Sequence, residues 1–123
     1  MSKGVEVKVG DVELQGEFKE TECAETIYNL LPLKKDYQIW GDEFYFPIEL
    51  NIELDETATT EVDIGTIGYW PPGKAVAVFF GPTPSSDGEK PVAASDVNVI
   101  GKIEDAEKLK DVKDVGRIKI EKI

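Results

Sequence analysis

Phe44, Phe46, Ile48, Leu50, Ile52 and Leu54 stand at every second position of one run, with Tyr45, Pro47, Glu49, Asn51 and Glu53 between them. Successive side chains of an extended strand point to opposite faces, so the pattern predicts a long strand with one apolar face turned to a core. Its other face carries Tyr45 and the carboxylates of Glu49 and Glu53. Pro47 has no amide hydrogen for a ladder, which puts the strand at an edge or at a bulge there. An apolar face of this length has to be covered by further sheet or by helix.

The flanking segments supply that cover. Val5, Val7 and Val9 alternate with Glu6 and Lys8, Gly10-Asp11 makes a two-residue turn, and Val12, Leu14 and Gly16 continue the period on the return. This predicts an opening hairpin. From Thr21 the period becomes helical: Ala24, Ile27, Tyr28 and Leu31 share a face, Thr21 is placed to cap, and Pro32 stops the helix. Cys23, at its start, reads as a small buried hydrophobe. Tyr37 and Ile39 open an extended pair that turns at Gly41-Asp42, and after polar Asp55 to Thr60, Val62, Ile64 and Ile67 form a short strand. Gly81 to Ser95 is rich in proline, glycine and serine and reads as a long surface loop. Val97, Val99, Ile100 and Ile103 mark the next strand, with Gly101 permitting a bulge. Ala106, Leu109 and Val112 lie on one side of a short helix, and Ile118 and Ile120 alternate in a last strand.

The order is hairpin, helix, a run of strands, short helix, last strand. It predicts a mainly β fold: a closed, mostly antiparallel β-barrel with two short helices, one plugging each mouth, and a sandwich as the alternative. At 123 residues the chain is expected to be a single domain over residues 1–123.

One stretch points elsewhere. Gly68 to Lys74, GYWPPGK, has the spacing of a phosphate-binding loop. That loop needs a helix directly after it and a Ser or Thr after the lysine. Here Ala75 follows, and Ala75 to Phe80 is a β-branched and aromatic run that reads as a buried strand. Pro71 and Pro72 also remove two amide donors from the supposed cradle. Pro71-Pro72-Gly73 is therefore read as a turn between strands.

Composition removes several classes of function. The 25 acidic against 14 basic residues leave a net charge of −11, a surface that repels nucleic-acid phosphates and anionic lipids. The chain has no histidine, which excludes Ser-His and Cys-His nucleophile pairs and every histidine metal site. Its single cysteine cannot close an internal disulfide and agrees with a reducing compartment. Met1-Ser2-Lys3-Gly4 leads straight into the alternating segment, so no secretory stretch is expected and the expected location is cytoplasmic. No cofactor is expected. Glu49, Glu53, Asp55, Glu56 and Asp63 invite a calcium reading, but their spacing is not that of a calcium loop and they read as solvated carboxylates, with no metal expected.

A family resemblance rests on several short runs taken in order. The helix Glu22 to Leu30 resembles the first helix of cyclophilins, the peptidyl-prolyl isomerases. Phe79-Phe80 is similar to their Gln-Phe-Phe strand, and Val99-Ile100-Gly101-Lys102-Ile103 to their Val-Phe-Gly-Lys-Val segment. Gly68 to Gly73, with Ala77 to Pro84 behind it, resembles a small bacterial and archaeal family of cyclophilin-like proteins of about this length.

The resemblance implies the barrel and, with it, a groove bordered by Tyr45, Glu49, Tyr69, Trp70, Phe80 and Thr83; Trp40 either joins them or closes the barrel end. It also implies what is missing. Isomerases of the family use an arginine from a Phe-His-Arg segment and a histidine before Val-Phe-Gly, where this chain has Phe44-Tyr45-Phe46 and Asp96-Val97. Loss of one preorganised donor costs enzymes about 3 to 4 kcal/mol against a barrier of roughly 20 kcal/mol. The expected function is binding of a small molecule or peptide in an aromatic groove without efficient catalysis, and the alternative is a weak peptidyl-prolyl cis-trans isomerase. Nothing in the sequence speaks to oligomeric state.

Overall fold

The computed structural model describes residues 3–123; the reading of Met1 and Ser2 as a start without a secretory stretch lies outside the described residues. β1 (Lys3–Val9) and β2 (Val12–Phe18) form the expected hairpin, with Val9 opposite Val12 and Gly10 at φ +58° in the turn. Val5, Val7 and Val9 are fully buried. α1 (Glu22–Tyr28) begins at Thr21, whose hydroxyl accepts from the Ala24 N–H at 3.1 Å, and it turns Cys23, Ala24 and Ile27 inward.

The remaining strands are β3 (Leu33–Asp36), β4 (Gln38–Ile39), β5 (Glu43–Pro47), β6 (Thr59–Glu61), β7 (Thr66–Trp70), β8 (Ala75–Phe79), β9 (Val92–Ile103) and β10 (Arg117–Lys122). Every pairing among them is antiparallel, in the order β3-β10-β1-β2-β9-β7-β8-β5-β4, with β6 on β9. The fold is mainly β and antiparallel. The second expected helix is a 3-10 turn, Ala106–Asp111, and Pro71–Gly73 and Lys113–Val115 are further 3-10 turns.

The expectation of a closed barrel needs correcting, because the ladder is open. It begins at β3 and ends at β4, and no pairing joins the two among the described residues. Chain length explains this. Only Tyr37 separates the two strands, whereas an antiparallel return needs at least a two-residue turn and a parallel one a long crossover. Side chains hold the seam instead. Tyr37 is buried, its ring stacks on Phe44 with centroids 3.9 Å apart, and its hydroxyl accepts from the Gly116 N–H at 2.9 Å. Asp42 in the β4–β5 turn is paired with Lys110 at 3.7 Å and with Lys113.

A second correction concerns the long alternating run. It is a strand only as far as Pro47, whose missing donor falls past the end of the β4 pairing. Glu49 then takes φ +58°, the left-handed region a non-glycine residue rarely adopts, and this turns the chain off the sheet. From there to Asp55 the backbone is tied to buried side chains of the sheet. The Tyr69 hydroxyl accepts from the Ile52 N–H at 3.2 Å and donates to the Leu50 carbonyl. The Asn98 amide accepts from the Asp55 N–H at 2.8 Å and donates to the Glu53 carbonyl at 2.9 Å. Glu49 and Glu53 therefore do not share a strand face, and Leu54 is exposed.

Two smaller boundaries also differ from expectation. The Gly81–Ser95 loop ends at Pro91, because Val92 and Val97 pair with Glu61 and Thr59 of β6. Val62 and Ile64 lie outside β7: Gly65, at φ +100°, turns the chain before Thr66, leaving Ile64 exposed. The expected bulge is present, since Ile67 faces Gly101 and Gly68 faces Val99, leaving Ile100 as the extra residue.

Two clusters fill the structure. The larger is lined by the hairpin valines, α1, Phe44, Phe46, Ile67, Tyr69, Val76, Val78, Phe80 and Ile100. The smaller, on the opposite face of β7 and β8, holds Val62, Ala77, Phe79, Ala93 and Val97, with Tyr45, Trp70 and Val99 against it.

Candidate functional site

The alternation of β5, β7 and β8 decides where the candidate groove can lie. Phe44 and Phe46 of β5 point into the large cluster, so Glu43 and Tyr45 point the other way. On β7 the same parity sends Ile67 and Tyr69 inward and Trp70 outward. On β8, Val76 and Val78 go inward and Ala77 and Phe79 outward. The start of β9 folds over this outer face, and beneath it remains a cavity of about 180 Å³ lined by Trp40, Glu43, Tyr45, Trp70, Ala93, Ala94 and Val97.

Residue size explains the cavity. Ala93 and Ala94 are too small to fill the space that the long side chains enclose. Tyr45 and Trp70 meet at 73° with ring centroids 6.3 Å apart, two walls of a corner. Trp70 is pinned from two sides: its indole N–H donates to the Ser95 hydroxyl at 2.7 Å, and Gly73 lies so close beneath the ring that a Cβ there would sit 2.7 Å from it. The Pro-Pro-Gly turn thus serves to seat an indole. Both tryptophans of the chain line the cavity.

Glu43 is the polar group of the site. The residue is 7% exposed, and among the described residues its carboxyl has no hydrogen-bond or ion-pair partner. Among the described residues no side-chain oxygen sealed from solvent lacks a hydrogen bond, and Glu43 is one of the residues that line the cavity. Burial raises its pKa from 4.5 to about 8, which keeps it protonated at neutral pH. Its sequence neighbour Asp42 is the carboxylate that pairs with Lys110 and Lys113.

The six residues expected to border a groove are thus divided. Tyr45 and Trp70 are brought together. Tyr69 and Phe80 are fully buried in the large cluster on the opposite face, Tyr69 holding the 50–52 backbone and Phe80 packed on Phe44 at 4.6 Å. Glu49 is exposed in the irregular segment, and buried Thr83 holds the loop after β8, its hydroxyl donating to the Val92 carbonyl. Trp40 joins the cavity, and Ala93, Ala94 and Val97 supply its cover. Glu43 was legible in the sequence: one step of the alternation back from Tyr45 places it on the same face.

The family model described as Cyclophilin-like matches residues 3–121. A solution structure of the hypothetical protein AF2241 from Archaeoglobus fulgidus is similar over 99% of this chain and 95% of that one, at 36% identity and a TM-score of 0.79. No curated protein matches the chain.

Proposed function

The chain belongs to the cyclophilin-like family, and on that premise we propose that it is a binding protein, holding a small molecule or a peptide side chain in the outer-face cavity without turning it over efficiently. The observation that carries this reading is the Glu43 carboxyl, buried, unpartnered and open to an aromatic-walled space. Burying a carboxyl without a partner costs stability, and groups kept at such a cost cluster at functional sites. A volume near that which admits benzene in an engineered cavity, roughly 150 Å³, suits a single ring or a compact head group. A net charge of −11 speaks against nucleic acid and anionic membranes as partners.

Efficient prolyl isomerisation is disfavoured by the position of the basic groups. Arg117, the only arginine, lies on β10 with its Nε 3.1 Å from Asp36 of β3, and neither it nor Lys74 lines the cavity. A weak isomerase is the second reading, favoured by one observation: protonated Glu43 is a hydrogen-bond donor inside an apolar groove.

Tryptophan fluorescence and melting temperature in the presence of a library of single-ring compounds test the binding reading. The expected result is a saturable change that disappears in Ala94→Phe, which fills the cavity. If no compound moves either signal, the reading falls. A proline-peptide assay with rates equal to buffer removes the second.

A further inference from the structure

The chemistry of the cavity narrows the ligand class, an inference that rests on the binding reading above. The walls are three electron-rich rings, Trp40, Tyr45 and Trp70, and no lysine or arginine is among the lining residues. The Trp70 N–H is already given to Ser95, so it does not serve a ligand acceptor. What remains is one carboxyl facing aromatic walls, on a protein of net charge −11. Anions meet a carboxyl and no cation. Sugars and amides need several converging donors and acceptors, whereas the lining offers one carboxyl and, on its aromatic walls, the Trp40 N–H and the Tyr45 hydroxyl. A compact cation meets both things it needs, ring faces and a counter-charge.

We propose that the outer-face cavity takes a small organic ammonium ion, with Glu43 as its counter-ion and Trp40, Tyr45 and Trp70 as its walls. Among the described residues no charged group is paired with Glu43. In the turn before its strand, Asp42 is engaged by Lys110 and Lys113. The facing β8 is apolar from Ala75 to Phe79, Lys90 is paired with Asp63 at 3.3 Å, and Tyr45 is the other titratable group on the lining. Binding of the cation therefore requires Glu43 to release its proton.

Both tryptophans report on the cavity, so fluorescence titration reads occupancy directly. The probes are choline, whose charge does not titrate, and its uncharged carbon counterpart 3,3-dimethyl-1-butanol. The expected results are that choline binds at least about tenfold tighter than the alcohol, and that its affinity rises about tenfold per pH unit from about pH 6 to 8, then levels off. In Glu43→Gln both the preference and the pH dependence should vanish. The isosteric comparison and the pH series stand on the native protein, so the test holds even if the variant is poorly behaved. Equal affinity for choline and the alcohol, or choline affinity that falls as pH rises, overturns the proposal. So does an absence of choline binding. If single-ring neutral compounds still bind, the cavity reading survives it; if nothing binds, both fall together.

Discussion

The inner and outer faces of β5, β7 and β8 are made by alternating residues of the same strands, yet the inner face is packed throughout and the outer face leaves a cavity beside Tyr45 and Trp70. Inward go Phe44, Phe46, Ile67, Tyr69, Val76 and Val78; outward go Glu43, Tyr45, Trp70, Ala77 and Phe79. The inner set is covered by the hairpin and α1, which bring their own large side chains. Over the cavity the outer set is covered by the start of β9, where Ala93, Ala94 and Val97 bring small side chains. A period of two sorts residues between faces and says nothing of whether a face will be filled. Filling depends on the volume the covering element delivers.

That contrast can be broken most severely at Phe44. Phe44→Ala empties space in the packed face and removes the stack with Tyr37 that holds the seam, and it is expected to cost about 3 to 5 kcal/mol in denaturant melts. Tyr45→Ala, next in sequence on the hollow face, should cost far less. Equal losses at the two positions would erase the distinction between the faces.

The next effect is pH-dependent. Between the ordinary carboxyl value of 4.5 and the folded value of about 8, the unfolded chain has lost the Glu43 proton and the folded chain has kept it, so rising pH favours unfolding. Relative to Glu43→Gln, the native protein should lose stability above about pH 4.5 and stop losing it just above about pH 8, by a total on the order of a few kcal/mol. Urea melts of both proteins across that window check it. A constant difference would mean that Glu43 is solvated and the outer face is not a cavity.

Tyr69→Phe sharpens the comparison from the inside. Removing the hydroxyl leaves the Ile52 N–H and the Leu50 carbonyl without their partner, an expected loss of about 1 to 3 kcal/mol, with faster amide exchange at Ile52. The cavity response to ligand should be unchanged, since Tyr69 belongs to the other face. Smallest in stability is Ala94→Phe: within about 0.5 kcal/mol in melts, because the position is exposed, yet with loss of any ligand-induced fluorescence change.

Much of the fold was legible from period and punctuation. The Val5 to Leu14 hairpin, the Thr21 cap, the Ala75 to Phe79 strand after Pro-Pro-Gly and the bulge beside Gly101 all follow from local rules. The run from Phe44 to Leu54 was misleading for a physical reason. Its alternation continues past Pro47, but its hydrogen bonds do not go to a neighbouring strand; they go to Tyr69 and Asn98, side chains far away in sequence. No local pattern announces that a buried hydroxyl and a buried amide will replace a ladder. The site divided in the same way. Tyr45 and Trp70 stood out as aromatics beside turns, whereas Tyr69 and Phe80, equally aromatic, differ only in parity, and parity is assigned to a face only once a core exists.

Residue order alone was enough to set local backbone choices: where the chain extends, where it coils, where a proline or glycine bends it, and which side chains share a side. Those are short-range steric and hydrogen-bonding preferences, complete within a few residues. Three-dimensional packing alone settled the rest: that β3 and β4 end the sheet without pairing, that the inner face is filled while the outer face leaves a cavity beside Tyr45 and Trp70, and that Glu43 is enclosed without a partner among the described residues. Each of these depends on volumes and charges brought from distant parts of the chain, and burial, unlike period, is a property of the assembled whole.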